Sequence, residues 1–355
     1  MIKGSISINN PTILISLIFL SISILILNLH FSKKLKYKIF SLLIIFITFI
    51  NIAVIVPFYG LNFTQKKQIL LTEPTAAKII KNHHELNNSS KKFRYYTFLS
   101  GEYAWFELEN KKGASPQVFF EWYRETIYPN LNQLYSIDSI SGYSILTPRR
   151  QREILYKLLD ERASFVKIKQ EPIHKVPEFL KNINLLPKLN VEYIISPFKL
   201  NSKIIEEISS IEITSQKIPI YIYHVKGVYP RIYFAEKLIL TSKNAPSILD
   251  KMIKYDKPQK IAIIECDNNC PSVEKNVDSI STKIETIYYK DGEISLKTDS
   301  NKNQILVLQE GNSNGWIAYL DDKKVPIYKT NYIFQSIIVP KGTHNILWRY
   351  EGIKF

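Results

Sequence analysis

The sequence predicts a membrane-anchored protein of mixed class: two N-terminal transmembrane α-helices, then an extracytoplasmic α+β (or α/β) domain, then a C-terminal antiparallel β-sandwich. Three observations carry that reading. Two long apolar runs open the chain. Helical and strand-like patterns then mix through its middle. From about Thr282 onward, short alternating strands follow one another, rich in aromatics and punctuated by turn residues.

The first apolar run starts at Pro11 and reads "PTILISLIFLSISILILNL". The second, Ile39 to Phe58, has Ser41, Thr48 and Asn51 as polar interruptions. Each is about 20 residues, the helix length that crosses roughly 30 Å of hydrocarbon. Ser and Thr hydroxyls bond back to their own helix and so cost little there. The expected layout is an extracytoplasmic N-terminus over 1–10, spans over 11–30 and 39–58, and a basic cytoplasmic loop over 31–38. That loop holds Lys33, Lys34, Lys36 and Lys38, and clustered lysines stay in the cytoplasm. Lys66 and Lys67 weigh the other way with fewer charges, and no acidic residue precedes Glu73. A cleaved signal peptide is the competing reading of the first run, but only Lys3 precedes it as a charge and no A-x-A site follows.

The chain has 355 residues and a formal net charge of +15. The basic residues are dispersed rather than gathered on one helix, which argues against nucleic acid as a partner. Dispersed positive charge suits anionic lipid headgroups, so membrane lipid is an expected partner. The six His show no ligand spacing, and neither a metal nor a cofactor is expected. The two cysteines, Cys266 and Cys270, stand in "IECDNNCPS". Outside the cytoplasm a local disulfide is one reading, and two free thiols the other.

An extracytoplasmic mixed domain is expected over 66–280 and the sandwich over 281–355. "EPTAAKIIKNH" reads as a short helix with Pro74 near its start. "FRYYTFL" reads as a strand, and Val118, Phe119, Trp122, Tyr123 and Ile127 recur at helical spacing. Pro148 opens a helix whose apolar face is Ile154, Leu155, Leu158 and Leu159. A strand is expected from Val191 to Ser196, and "KIPIYIYHVKGVYPRIYFAEKLIL" suggests two strands around a turn at Lys226-Gly227. A helix in "APSILDKMIKYD" then precedes the strand "KIAIIE". Beyond it, Asp291-Gly292 between two alternating runs is a hairpin signal.

The stretch "GWIAYLDDKKVPIYKTNYIFQSIIVPKGTHNILWRYEGIKF" resembles the closing module of YfhO-type bacterial membrane proteins. That module reads G-W-x-A-x-x-D-G-x-x-x-x-I, then N-x-x-F-R-x-x-x-x-P-x-G-x-H-x-x-x-x-x-Y. Gly315, Trp316, Ala318, Asp321, Ile327, Asn331, Phe334, Pro340, Gly342, His344 and Tyr350 match it. Asp322 stands where the module has Gly, and Gln335 where it has Arg. Upstream, "SISGYSILTPRRQREIL", "LNVEYIISP" and "IYIYHVKGVYPRIYFAEKL" extend the likeness in order across most of 66–355. The resemblance implies kinship with polytopic, integral-membrane glycosyltransferases that move sugars from polyprenyl-phosphate carriers onto cell-envelope acceptors. Such proteins carry their catalytic carboxylate in an early extracytoplasmic loop, which this chain lacks. The resemblance therefore implies an accessory or partial form, with a polyprenyl-phosphate-linked sugar and a polytopic membrane protein as its partners. A non-enzymatic anchored binding or scaffolding protein is the alternative.

No residue is assigned a catalytic role by the sequence. Arg149 and Arg150 in "TPRRQR" suit a phosphate or sugar, or else form ion pairs in a solvated first turn. Trp316, with Tyr319, Tyr332 and Trp348, offers either a sugar-stacking face or sandwich core. Asp138 is the most tempting carboxylate but shows no partner base. Tyr143 joins the ligand-binding candidates through the Gly-Tyr segment of the family likeness.

Overall fold

The computed structural model describes residues 11–55, 72–87, 92–111, 116–142, 148–159, 172–213, 217–242, 245–266, 270–271 and 281–352. The chain divides into two compact units, Met1–Thr72 and Glu73–Phe355.

The first unit holds two apolar helices, α1 (Pro11–Phe31) and α2 (Tyr37–Ile55), packed on each other. Their hydroxyls are spent inside the helices: Ser21 donates to Leu17 O at 2.9 Å and Thr48 to Ile44 O at 2.9 Å. At the turn between them the His30 ring stacks on Phe40, centroids 4.1 Å apart. The expectation of two transmembrane spans is corrected here. Among the described residues no helix is long and apolar enough to cross a membrane. His30 in the last turn of α1 and Lys38 in the first turn of α2 place polar groups at the helix ends beside the connecting turn.

The second unit contains three sheets with helices packed against them. Its first helices are α3 (Thr75–Leu86), α4 (Pro116–Glu125), α5 (Arg149–Leu159) and α6 (Val176–Asn182). They cover a five-stranded sheet built from β1 (Arg94–Thr97), β2 (Asp138–Ser139), β3 (Val191–Ser196), β4 (Ile205–Ile213) and β5 (Ile218–Val225). Its order is β2-β1-β3-β5-β4, with β1 parallel to both neighbours and β5 antiparallel to both of its own. The "VEYIIS" run is buried on both faces, as a covered central strand must be. Tyr95, Tyr193 and Ile195 face α3 and α4, while Tyr96, Phe98 and Ile194 face α5 and α6.

Then follow β6 (Ile232–Phe234), β7 (Lys237–Thr241), α7 (Ala245–Lys254) and β8 (Ile261–Glu265), then β9 (Thr282–Lys290), β10 (Glu293–Ser300) and β11 (Gln304–Leu308). The chain closes with β12 (Trp316–Leu320), β13 (Lys323–Val325), β14 (Tyr328–Thr330), β15 (Phe334–Val339) and β16 (Gly342–Tyr350). A six-stranded sheet has the order β6-β11-β15-β14-β8-β7, so strands from both sides of residue 280 share it. β7 and β8 are parallel, and α7 is the crossover such a pair needs, burying Ile248, Leu249 and Met252. The other five-stranded sheet, β13-β12-β16-β10-β9, is antiparallel throughout. These last two sheets enclose one core that includes Trp348, Leu296, Leu306, Ile337 and Ala318, which makes them a sandwich.

Two departures from the expected elements are instructive. β5 and β6 do not form a hairpin: β5 pairs with β4, and β6 pairs with β11. Pro230 lies between them and cannot donate to a ladder, which favours a sheet change there. β4 itself, "IEEISSIEI", is a half-exposed edge strand whose Glu and Ser residues blur the alternation.

Candidate functional site

The structure gathers Asp138 and Trp316, far apart in sequence, at one cleft of about 380 Å³. Its floor is a network of charge. Arg231, only 5% exposed, enters β6 just after Pro230. Its Nη1 donates to Glu310 Oε1 at 3.0 Å, and its Nη2 donates to the Asp138 carboxylate. The Arg231 Nε is buried with no hydrogen-bond partner. Arg94, at the start of β1, lies beside it. Its guanidinium donates to Gln309 O at 2.6 Å and stands 3.7 Å from Glu310. Burial, then the neighbouring Arg231 charge, lowers Arg94 from its ordinary value to about 10. The Tyr289 hydroxyl donates to Glu310, and burial raises the phenol far above its usual range. Lys92 stands over the Tyr289 ring, 4.3 Å from its centroid, and Trp316 and Asn132 complete part of the wall.

Three architectural choices build this place. β2 is an edge strand of two residues, held parallel to β1, so Asp138 projects from the rim of the first sheet. β6 is the edge of the six-stranded sheet and delivers Arg231. β9, the edge of the third sheet, delivers Tyr289. Three sheet edges thus meet at one polar spot inside the second unit.

Arg149 and Arg150 lie elsewhere, on α5, beside a separate cavity of about 400 Å³ with Tyr332. Arg150 is spent on structure. Its Nη2 donates to Glu265 Oε2 at 2.8 Å, its Nη1 to the other carboxylate oxygen and to Tyr332 O at 2.9 Å, and the guanidinium stacks 4.9 Å from the Tyr332 centroid. Arg149 is exposed and pairs with Glu153 at 2.7 Å, while the Tyr332 hydroxyl donates to the same Glu153 carboxylate. Tyr143 lies outside the described residues. Cys266 and Cys270 are joined as a disulfide just beyond β8, with Cα atoms 5.2 Å apart. Among the described residues no cluster of His, Cys, Asp or Glu has the arrangement of a metal site.

Several residues of the C-terminal motif have structural work. Asn331 is fully buried in a left-handed turn, φ 45°. Its Oδ1 accepts from Ile263 N at 2.8 Å, and its Nδ2 donates to the Tyr233 hydroxyl at 2.8 Å and to Ile261 O at 3.1 Å. Asp321 ties the β12–β13 turn to β16, through His344 Nδ1 at 2.6 Å and Asn345 N–H at 2.9 Å. Those two partners hold its carboxyl below the ordinary range. At Gly315 a Cβ would strike the Tyr350 ring and approach Gly352 O at 2.8 Å.

Sequence reasoning missed Arg94, Arg231, Tyr289 and Glu310. The available signal was a lone Arg in the apolar run "VYPRIYFA", since an unshielded charge amid strand-forming residues needs a buried partner. Compared with known proteins, residues 262–351 match the family model described as bacterial membrane protein YfhO. No curated protein and no solved structure matches the chain.

Proposed function

From the YfhO family match of residues 262–351, we propose that this chain is a glycosyltransferase-like protein of the bacterial envelope, accessory or partial in form. Its Glu73–Phe355 unit binds a saccharide in the cleft of Arg231, Asp138 and Trp316, and it acts in the transfer of lipid-linked sugars to envelope glycans. The observation that carries this reading is the cleft itself, with an aromatic wall, paired charges and side-chain amides in one concavity. The Cys266–Cys270 disulfide supports an extracytoplasmic setting for the unit, because such bonds persist where the surroundings are oxidising. The donor is a polyprenyl-phosphate-linked sugar, and a polytopic membrane partner supplies the donor site.

Sugar transfer needs a carboxylate free to take the acceptor hydroxyl proton. In the cleft Asp138 is bound by Arg231, and Glu310 accepts from Arg231 and Tyr289. That pairing favours binding over chemistry. It also supports a second reading, a non-enzymatic binding or scaffolding protein at the membrane. Radiolabelled sugar transfer in proteoliposomes tests the proposal. The expected outcome is no transfer by the chain alone and transfer when a polytopic partner from the same cell is added. Turnover by the lone chain, abolished by Asp138→Asn, would make the cleft an active site and overturn the accessory role.

A further inference from the structure

We propose that the ligand of this cleft is an acidic saccharide whose carboxylate takes the place of Asp138 on Arg231. The inference rests on the cleft being a saccharide site. Two buried guanidinium groups, Arg94 and Arg231, share one firmly held carboxylate, Glu310. Glu310 is fixed from several sides: Arg231 and Tyr289 donate to it, and Arg94 stands 3.7 Å away. Asp138 is held differently. Its side chain is 51% exposed, it stands on an edge strand of two residues, and Arg231 is its partner among the described residues. Of the two acids facing Arg231, Asp138 is therefore the one that yields.

Arg231 also keeps a spare donor. Its side chain is 6% exposed, and its Nε is buried without a hydrogen-bond partner. A guanidinium presents its donors as a planar fork that fits a carboxylate in two-point contact. Asp138 occupies part of that fork as an internal stand-in for a ligand carboxylate. A sugar acid entering past Trp316 would set its ring against the indole and its carboxylate on Arg231. The released Asp138 would then turn to solvent, which its exposure permits at little cost. A neutral sugar offers no carboxylate for the place Asp138 holds, and taking that place would leave Arg231 with Glu310 as its one counter-charge.

The test is calorimetric titration of the full chain in detergent micelles with three probes: a glucuronate-terminated disaccharide, the matched neutral glucoside, and inorganic phosphate. The glucuronide should bind about tenfold tighter than the glucoside, the scale of one charge-assisted hydrogen bond. Asp138→Asn removes the competing charge and should tighten glucuronide binding severalfold relative to the glucoside. Trp316→Ala should weaken both sugars. Because Arg231 is buried and its loss threatens the fold, the half-exposed Asp138 carries the test instead. Equal binding of both sugars, indifferent to Asp138→Asn, would overturn the acidic class and leave the saccharide cleft standing. Phosphate binding as tightly as the glucuronide would overturn the sugar-acid assignment in favour of a general anion site. No binding of either sugar would remove the saccharide cleft itself.

Discussion

At the scale of single residues, Asn331 shows how a motif position turns into stability. Its side chain satisfies a β8 amide, a β8 carbonyl and the Tyr233 hydroxyl, all away from solvent. Asn331→Ala leaves the Ile263 amide without that side-chain acceptor, while Tyr233 and Ile261 O keep the hydrogen bond between them. A buried orphan costs about 1–3 kcal/mol, so the loss should fall in that range, read as a drop in the urea midpoint. The sequence named Asn331 as a motif residue but not its duty, because its three partners come from segments far away in the chain. The same holds for the cleft. Asp138 and Trp316 were legible as a carboxylate and an aromatic, whereas Arg231 and Glu310 become informative only once they meet. Arg150 read as a fork for phosphate or as an ion pair, and the structure engages it with Glu265 and Tyr332 O.

Among the elements, β5 carries a pH response through His224, which lies against α3. His83 donates to or accepts from the Tyr193 hydroxyl at 3.0 Å, and its ring centroid lies 5.0 Å from that of His224 on β5. His84 meets Glu192 at 2.9 Å. Burial lowers the His224 value; Glu192 and Glu206 oppose that shift, while His83 and Lys226 add to it. A base whose folded value is lowered is favoured neutral in the fold. Its contribution is complete above the unfolded value of about 6.5 and is lost as pH falls through the lowered folded value. Amide exchange in α3 should therefore quicken, beyond the intrinsic pH effect, between about pH 7 and pH 5. His224→Gln should flatten the response; a response unchanged in that variant would assign it to another group. Element boundaries were readable where local chemistry decides them. The β9–β10 hairpin forms at Asp291-Gly292 with Gly292 at φ 76°. β4 was not readable, since an exposed edge strand lets Glu and Ser replace the apolar alternation.

For the whole molecule, the second unit is a single compact body in which the six-stranded sheet is assembled from two distant parts of the chain. Periodicity reveals strands but not which strands pair, so the composition of that sheet was beyond sequence reasoning. The N-terminal helices show the reverse limit: apolar runs predicted helices, which form, while among the described residues no helix is long and apolar enough to cross a membrane as expected. A fragment of residues 281–355 would lack β6, β7 and β8 and would expose the flanks of β11 and β14. It should be unfolded or aggregated by circular dichroism and light scattering, whereas 73–355 should give a cooperative transition. A soluble, folded 281–355 fragment would show that the sandwich does not need those strands. The shared sheet also imposes a timetable. β6 and β7 leave the ribosome well before β11 and β14 exist to pair with them. During synthesis, Ile232, Phe234 and Leu238 have no complete sheet to enter, and the nascent chain must be kept from misassembly until β11, β14 and β15 arrive.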